Sequence, residues 1–218
     1  MKIDCIGCCH GAYDQLELEG GDLLIITGDL TRSDESYQYS KFHEWLEKQD
    51  YKKKIFIGGN HDQYLQDRNQ TFLQDYTSND SITYLCDSGT EFEGLKIWGM
   101  PHSLWFRGIN PHCTAFTGDE EYMAEKCALI PDNIDILISH CHPYGILDEI
   151  ILEDGSEYSV GSKELLKTTL KIRPKLVIFS HIHEKGGKIL DINGIKFINC
   201  SIMNERYEPV NKPMKIEI

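Results

Sequence analysis

What this chain lacks narrows its classes first. No apolar span approaches the ~18 residues that a membrane-crossing helix needs, and Met1-Lys2 runs into Ile3-Asp4-Cys5-Ile6 without the apolar region of a secretory leader. The expectation is a cytoplasmic protein with no membrane partner. Basic residues are also scarce, since 22 Lys and Arg stand against 35 Asp and Glu for a formal net charge of −13. Binders of nucleic acid ordinarily present a basic face, so no extended nucleic-acid surface is expected. A small anionic substrate stays compatible, because bound divalent cations reverse the sign of the field locally. The eight cysteines (5, 8, 9, 86, 113, 127, 141 and 200) lack the paired spacing of a disulfide scaffold, and 218 residues can bury a core without one. There is no repeat, low-complexity tract or Pro/Gly/Ser-rich linker either, so residues 1–218 are read as one domain. The sequence sets no oligomeric state.

Nine short segments read as strands: 2–7, 22–27, 54–58, 82–85, 96–99, 134–139, 175–180, 187–191 and 196–200. Several are continuous apolar runs, such as Leu23-Leu24-Ile25-Ile26 and Leu176-Val177-Ile178-Phe179, which suit strands covered on both faces. Between them, residues 34–49 place Tyr39, Phe42, Trp45, Leu46 and Gln49 on one helical face behind Ser33 as N-cap. Helices are also expected over 119–130, stopping before Pro131, and over 162–173, where Leu165, Leu166 and Leu170 precede Pro174. Alternation of strand and helix argues for parallel βαβ units, while the close spacing of strands after residues 82 and 187 argues for antiparallel pairs. Two mixed sheets flanked by helices, an α/β fold, satisfy both signals. Residues 99–118 show no clear periodicity and are expected to form a pocket wall.

The ends of the apolar runs carry the chemistry: Cys8-Cys9-His10-Gly11, Gly28-Asp29, Gly59-Asn60-His61-Asp62, Ser139-His140 and Ser180-His181-Ile182-His183. Singly they are ordinary, because Gly-Asp and Gly-Gly-Asn are common turns and a His-Ile-His at a strand end is usually a pair of surface or core histidines. Five of them in order, each directly behind a strand, are hard to produce as independent turns. Loops that converge on one rim would bring His10, Asp29, Asn60, His140, His181 and His183 together. Imidazoles suit Zn, Fe and Mn, a carboxylate can bridge two cations, and an Asn carbonyl adds a neutral oxygen.

These ordered motifs resemble those of the calcineurin-like metallophosphoesterases: D-x-H, G-D, G-N-H-D/E, a strand-terminal H and G-H-x-H. Stretches such as Gly21-Asp22-Leu23-Leu24, Arg173-Pro174-Lys175 and Phe197-Ile198-Asn199-Cys200-Ser201 look like the subgroup of metallophosphoesterase-domain proteins, so the resemblance spans nearly the whole chain. It implies a four-layer α/β/β/α sandwich and a binuclear centre holding two divalent ions, Mn, Fe or Zn. The residue at position 8, His10, Asp29 and His183 would hold one ion, and Asp29, Asn60, His140 and His181 the other. It further implies hydrolysis of a small phosphorylated substrate, preferably a nucleotide-like phosphodiester, by metal-activated hydroxide, with His61 as general acid. Asp62 would orient the His61 imidazole.

The chain departs from the family pattern at Cys8, where the motif has aspartate. Three readings stand. Cys8 ligates as thiolate and favours Zn or Fe; or it stays neutral and the first position is weak or empty; or a water or Asp4 completes the shell. The second would make the chain a weakly active domain that binds one metal or a nucleotide as a regulator. His142, which follows Cys141 where the family motif T-H-G-P-P has proline, and Arg107 are candidates for a phosphate contact, although a loop histidine and an arginine ordinarily face solvent. Trp105 and Phe106 can stack on a base or simply pack.

Overall fold

The computed structural model describes residues 1–68, 79–106, 111–152 and 154–218. Its strands in chain order are β1 (Lys2–Ile6), β2 (Gly21–Ile26), β3 (Tyr51–Phe56), β4 (Ile82–Tyr84), β5 (Ser88–Phe92), β6 (Leu95–Met100), β7 (Ser103–Leu104), β8 (Thr117–Gly118), β9 (Ile136–Ser139), β10 (Glu149–Ile151), β11 (Glu157–Ser159), β12 (Leu176–Phe179), β13 (Lys188–Ile192), β14 (Ile195–Asn199) and β15 (Met214–Glu217). One sheet has the order β15-β1-β2-β3-β4, and β1 to β4 are parallel. The other has the order β13-β14-β12-β9-β6-β5, with the four inner strands parallel and an antiparallel strand at each edge.

Period-two alternation of apolar residues divides the core into three layers. Ile3, Cys5, Leu23, Ile25 and Ile55 of the first sheet meet Ile97, Ile136, Ile138, Leu176 and Ile178 of the second. Their neighbours Leu24, Ile26 and Phe56 face outward onto Tyr39, Phe42 and Leu46 of helix Ser36–Glu47. On the far side Leu137, Val177, Phe179 and Phe197 cover Met123 and Cys127 of helix Glu120–Cys127 and Leu165 of helix Lys163–Ile172. The result is the expected α/β/β/α sandwich. Each such side chain contributes about 1.5–3 kcal/mol by leaving water, so strands apolar on both faces hold the two sheets and both helix layers at once.

The helix ends show how the sequence signals worked. Asp119 and Ser162 cap their helices through Tyr122 N (2.9 Å) and Leu165 N (3.2 Å). The first helix instead starts at Ser36, not Asp34, without a side-chain cap. Asp34 adopts a left-handed φ of 55° that interrupts the helical path, and its carboxylate accepts from the Tyr39 hydroxyl (2.6 Å) and Tyr64 N (3.0 Å). In the helix after Ser162, Thr169 takes the buried position one turn beyond Leu165, whereas Leu170, expected to pack, is exposed. Among the described residues no helix is long and apolar enough to cross a membrane.

Candidate metal centre

The turns that leave β1, β2, β3, β9 and β12 lie at the carboxyl ends of parallel strands, so both sheets deliver their polar residues to one rim. Those turns are strained: Cys8, His10, Asp29 and His181 have φ of 46°, 43°, 52° and 58°. Side chains rarely adopt that region, at about 1–3 kcal/mol each, so surrounding bonds must over-determine them. Cys8 N and His10 N donate to Gly28 O (3.0 Å) and Asp29 O (2.8 Å), which lock the β1 turn onto the β2 turn. Gly59 is forced by proximity, because a Cβ there would sit 2.4 Å from Asp29 Oδ1 and 2.6 Å from His140 Cε1.

Asp29 is the hub. Its Oδ2 lies 3.4 Å from His140 Nε2, 3.7 Å from His10 Nε2 and 3.9 Å from Cys8 Sγ, and its Oδ1 accepts from His61 N at 2.9 Å. Candidate ligand atoms fall into close groups, Cys8–His10–His183 and Asp29–His140–His181, each within 4.8 Å. Asn60 Oδ1 joins the second at 3.0 Å from His140 Nε2. Two more acceptors fix the rings from behind: Thr27 O meets His140 Nδ1 at 2.8 Å and Asn204 O meets His183 Nδ1 at 3.1 Å. Each contact assigns the outer nitrogen its proton and turns Nε2 inward.

Burial pushes His10 down to about 3 and His183 down to about 4 from 6.5, and His181 well below it, so these imidazoles are neutral with lone pairs available. Burial also opposes charge on Asp29, but His140, His61 and His10 hold its carboxyl well below the usual range. His140 goes the other way: burial disfavours its cation, yet the Asp29 carboxylate raises it. The cluster therefore draws positive charge to Asp29. His10 Nε2, buried with no hydrogen-bond partner, aims at the same place. Neutral imidazoles, an orphaned buried nitrogen and a carboxylate common to two donor groups fit divalent cations held around Asp29.

A cavity of about 400 Å³ opens beside Asp29, Asn60, His61, His181 and His183, walled by Leu104, Trp105, Phe106, Ile150, Ile151 and Leu152 among others. Residues 1–185 match the family model described as calcineurin-like phosphoesterase. The chain belongs to that family. It is 31% identical, over its whole length, to metallophosphoesterase domain-containing protein 1 of Homo sapiens, of which it covers 71%. A UPF0046 protein of Caenorhabditis elegans is likewise 31% identical over all of this chain, which spans 60% of that relative. Among solved structures, a Thermus thermophilus protein superposes with a TM-score of 0.61 over 91% of this chain and 88% of its own at 14% identity, a likeness of fold. Calcineurin-like phosphoesterases are metal-dependent, and the seven positions the motifs singled out as ligands, Cys8, His10, Asp29, Asn60, His140, His181 and His183, meet on one rim.

Three expectations need correction, and a fourth falls on a residue that is not described. Asp62 does not orient His61: it is fully buried beneath the loop, where its carboxylate accepts from Gly59 N (2.8 Å), Leu30 N (3.1 Å) and the Tyr39 hydroxyl (2.8 Å). Burial and the Asp29 charge raise its pKa. Its role is to tie the β2 and β3 turns to the first helix. His61 Nδ1 instead lies 3.4 Å from Cys113 Sγ. His142 neither faces solvent nor lines the cavity; it is buried against Phe179, with Nε2 at Ser180 O and Ile182 N and Nδ1 3.3 Å from Ile146 O. Arg107 lies outside the described residues. Asp4 bonds the Tyr51 hydroxyl instead of reaching the rim, and Cys9 packs in the outer core.

Sequence patterns missed Tyr207, Asn204, Thr27 and Cys113. The Tyr207 ring packs 4.9 Å from both His10 and His183. Thr27 and Asn204 act through backbone carbonyls, which no side-chain pattern reveals, and Cys113 arrives from a loop without periodicity.

Proposed function

We propose that this chain hydrolyses a small phosphodiester at a two-cation centre, with Asp29 bridging, Cys8, His10 and His183 completing one position, and Asn60, His140 and His181 completing the other. Divalent cations there would acidify a water as nucleophile, hold phosphate oxygens and offset charge in the in-line displacement. The residues of the chain do the rest. Asp29, His140 and His183 are pre-oriented by Thr27 O, Asn204 O and His61 N, so little reorganisation is left for the reaction. His61 lines the cavity, where it can protonate the departing oxygen, with Cys113 positioning its ring.

The observation that carries this reading is Asp29 Oδ2 lying within 3.9 Å of His140 Nε2, His10 Nε2 and Cys8 Sγ, one carboxylate oxygen common to both donor groups. Cys8 is proposed as a thiolate ligand. Without a cation, burial and the Asp29 charge keep the thiol protonated, and a divalent ion reverses that balance. Purified protein with added Mn²⁺ or Zn²⁺ should hydrolyse bis-p-nitrophenyl phosphate, and His61→Ala should lower turnover of a diester with an alkyl leaving group by roughly 10²–10⁴-fold. Turnover that the variant shares would defeat the reading. Absence of turnover together with a single bound metal would favour a regulatory, weakly active domain.

A further inference from the structure

Ligating imidazoles ordinarily donate their outer N–H to a fixed acceptor, as His140 does to Thr27 O and His183 to Asn204 O. His10 is different. Among the described residues no hydrogen bond fixes its ring, and its Nε2 is buried without a partner. The ring is held by other rings instead: His61, His183 and Tyr207 meet it edge-on with centroids 4.8, 5.4 and 4.9 Å away. It also borders a second cavity, about 680 Å³, whose wall includes Tyr207, Arg32 and Gln38. A ring beside open space needs a stop on that side if its nitrogen is to stay aimed at Asp29.

Tyr207 is held in place against its own backbone preference. Its φ of 59° is one that a bulky side chain rarely adopts, and such strain persists only where the surroundings over-determine it. Asn204 supplies that determination. Its carbonyl oxygen accepts from Tyr207 N (3.0 Å), its Oδ1 accepts from Arg206 N and Glu208 N (both 2.9 Å), and its Nδ2 donates to Glu208 Oε2 (2.7 Å). The same carbonyl oxygen accepts from His183 Nδ1 at 3.1 Å, so one atom joins the strained tyrosine to a ligand of the Cys8 group. We infer that Tyr207 is a positioning residue for that half of the centre: carried by the Asn204 turn, its ring closes the open side of His10 and His183 and keeps both imidazoles turned toward Cys8, in place of the hydrogen bond that His10 lacks. The inference rests on the two-cation reading and names what organises one of its halves. Tyr207 lies beyond the stretch that matches the family model, in a part of the chain where the ordered motifs carry no ligand. A single edge contact between rings is weak, but two from one tyrosine are comparable to an outer hydrogen bond to a ligand, whose loss costs about 10–100-fold in metal affinity.

The test compares cobalt titrations of the metal-free wild type, Tyr207→Gly and Tyr207→Phe. Glycine adopts positive φ without strain and Tyr207 is 50% exposed, so Tyr207→Gly should keep a cooperative thermal transition. One of two equivalents should nevertheless bind about tenfold weaker or more, the one that carries the Cys8 thiolate band and that His10→Ala abolishes, while the other is unchanged. Tyr207→Phe keeps the ring and should bind both as the wild type does. Two equivalents unchanged in Tyr207→Gly, or weakened alike, would overturn the inference and leave the two-cation reading intact. Weakening in Tyr207→Phe equal to that in Tyr207→Gly would do the same, since it would put the effect on the hydroxyl. A wild type that binds one equivalent would defeat the two-cation reading instead; the inference then holds if Tyr207→Gly weakens that equivalent and fails if it does not. Binding of no cobalt at all would remove both.

Discussion

The two halves of the centre are built alike and armed differently. On one side Asn60, His140 and His181 offer nitrogen and oxygen, with His140 held by Thr27 O and fully buried. On the other, Cys8 puts sulfur beside His10 and His183, with Tyr207 packed over both rings. The first set suits hard and borderline ions alike, whereas thiolate narrows the second toward Zn or Fe(II). Backbone geometry does not explain the cysteine, because φ of 46° at position 8 is a conformation that Asp tolerates better than Cys. On the proposed ligation, the difference in donor atom predicts a difference in metal.

Asp29→Ala should have the largest effect, since it removes the donor common to both halves. Metal content should fall from two ions per chain to one or none and turnover by at least ~10³-fold, with elemental analysis and initial rates as the readouts. His140→Ala should strip the nitrogen and oxygen half while sparing the sulfur half, leaving about one Zn²⁺ per chain. Equal loss from both halves would show that they bind as one unit. Cys8→Asp sharpens the contrast from the other side. It should move the metal giving the highest turnover from Zn²⁺ toward Mn²⁺, and an unchanged preference order would count against sulfur ligation.

Smaller effects are expected from residues behind the halves. Cys113→Ala should lower kcat by about 3–10-fold for diesters with poor leaving groups and less for p-nitrophenyl esters, which need little help from an acid. Uniform loss across leaving groups would assign Cys113 to packing alone. His142 sets a pH dependence: burial depresses it from 6.5 to about 4, so it stays neutral in the fold where the unfolded chain takes a proton. Its contribution to stability is complete above about pH 6.5 and is lost as pH falls toward 4, an effect of up to about 3 kcal/mol. Denaturant midpoints of the metal-free protein should show a steeper acid slope than those of His142→Gln.

Legibility of the sequence followed the same division. All nine expected strands exist, most of them because strands covered on both faces write themselves as apolar runs, with the exposed edge strand β13 the exception, and the ligands were visible as polar residues ending those runs. The missed elements are the ones water touches. Ser88–Phe92, Glu149–Ile151, Glu157–Ser159 and Met214–Glu217 are edge or ribbon strands whose residues are mostly half-buried or exposed, so no continuous apolar pattern marks them. Asp62 and His142 misled for a related reason. A polar residue next to a ligand suggests chemistry, yet the turn needs partners for its own backbone groups, and both side chains were drawn under it to supply them.

Cobalt titration of the metal-free protein, followed by absorption, tests the centre most directly. Two equivalents should bind, a thiolate-to-cobalt charge-transfer band in the near ultraviolet should grow with only one of them, and the band should vanish in Cys8→Asp while both equivalents remain. A single equivalent, or two without the band, would contradict a two-cation centre with one sulfur-bearing half.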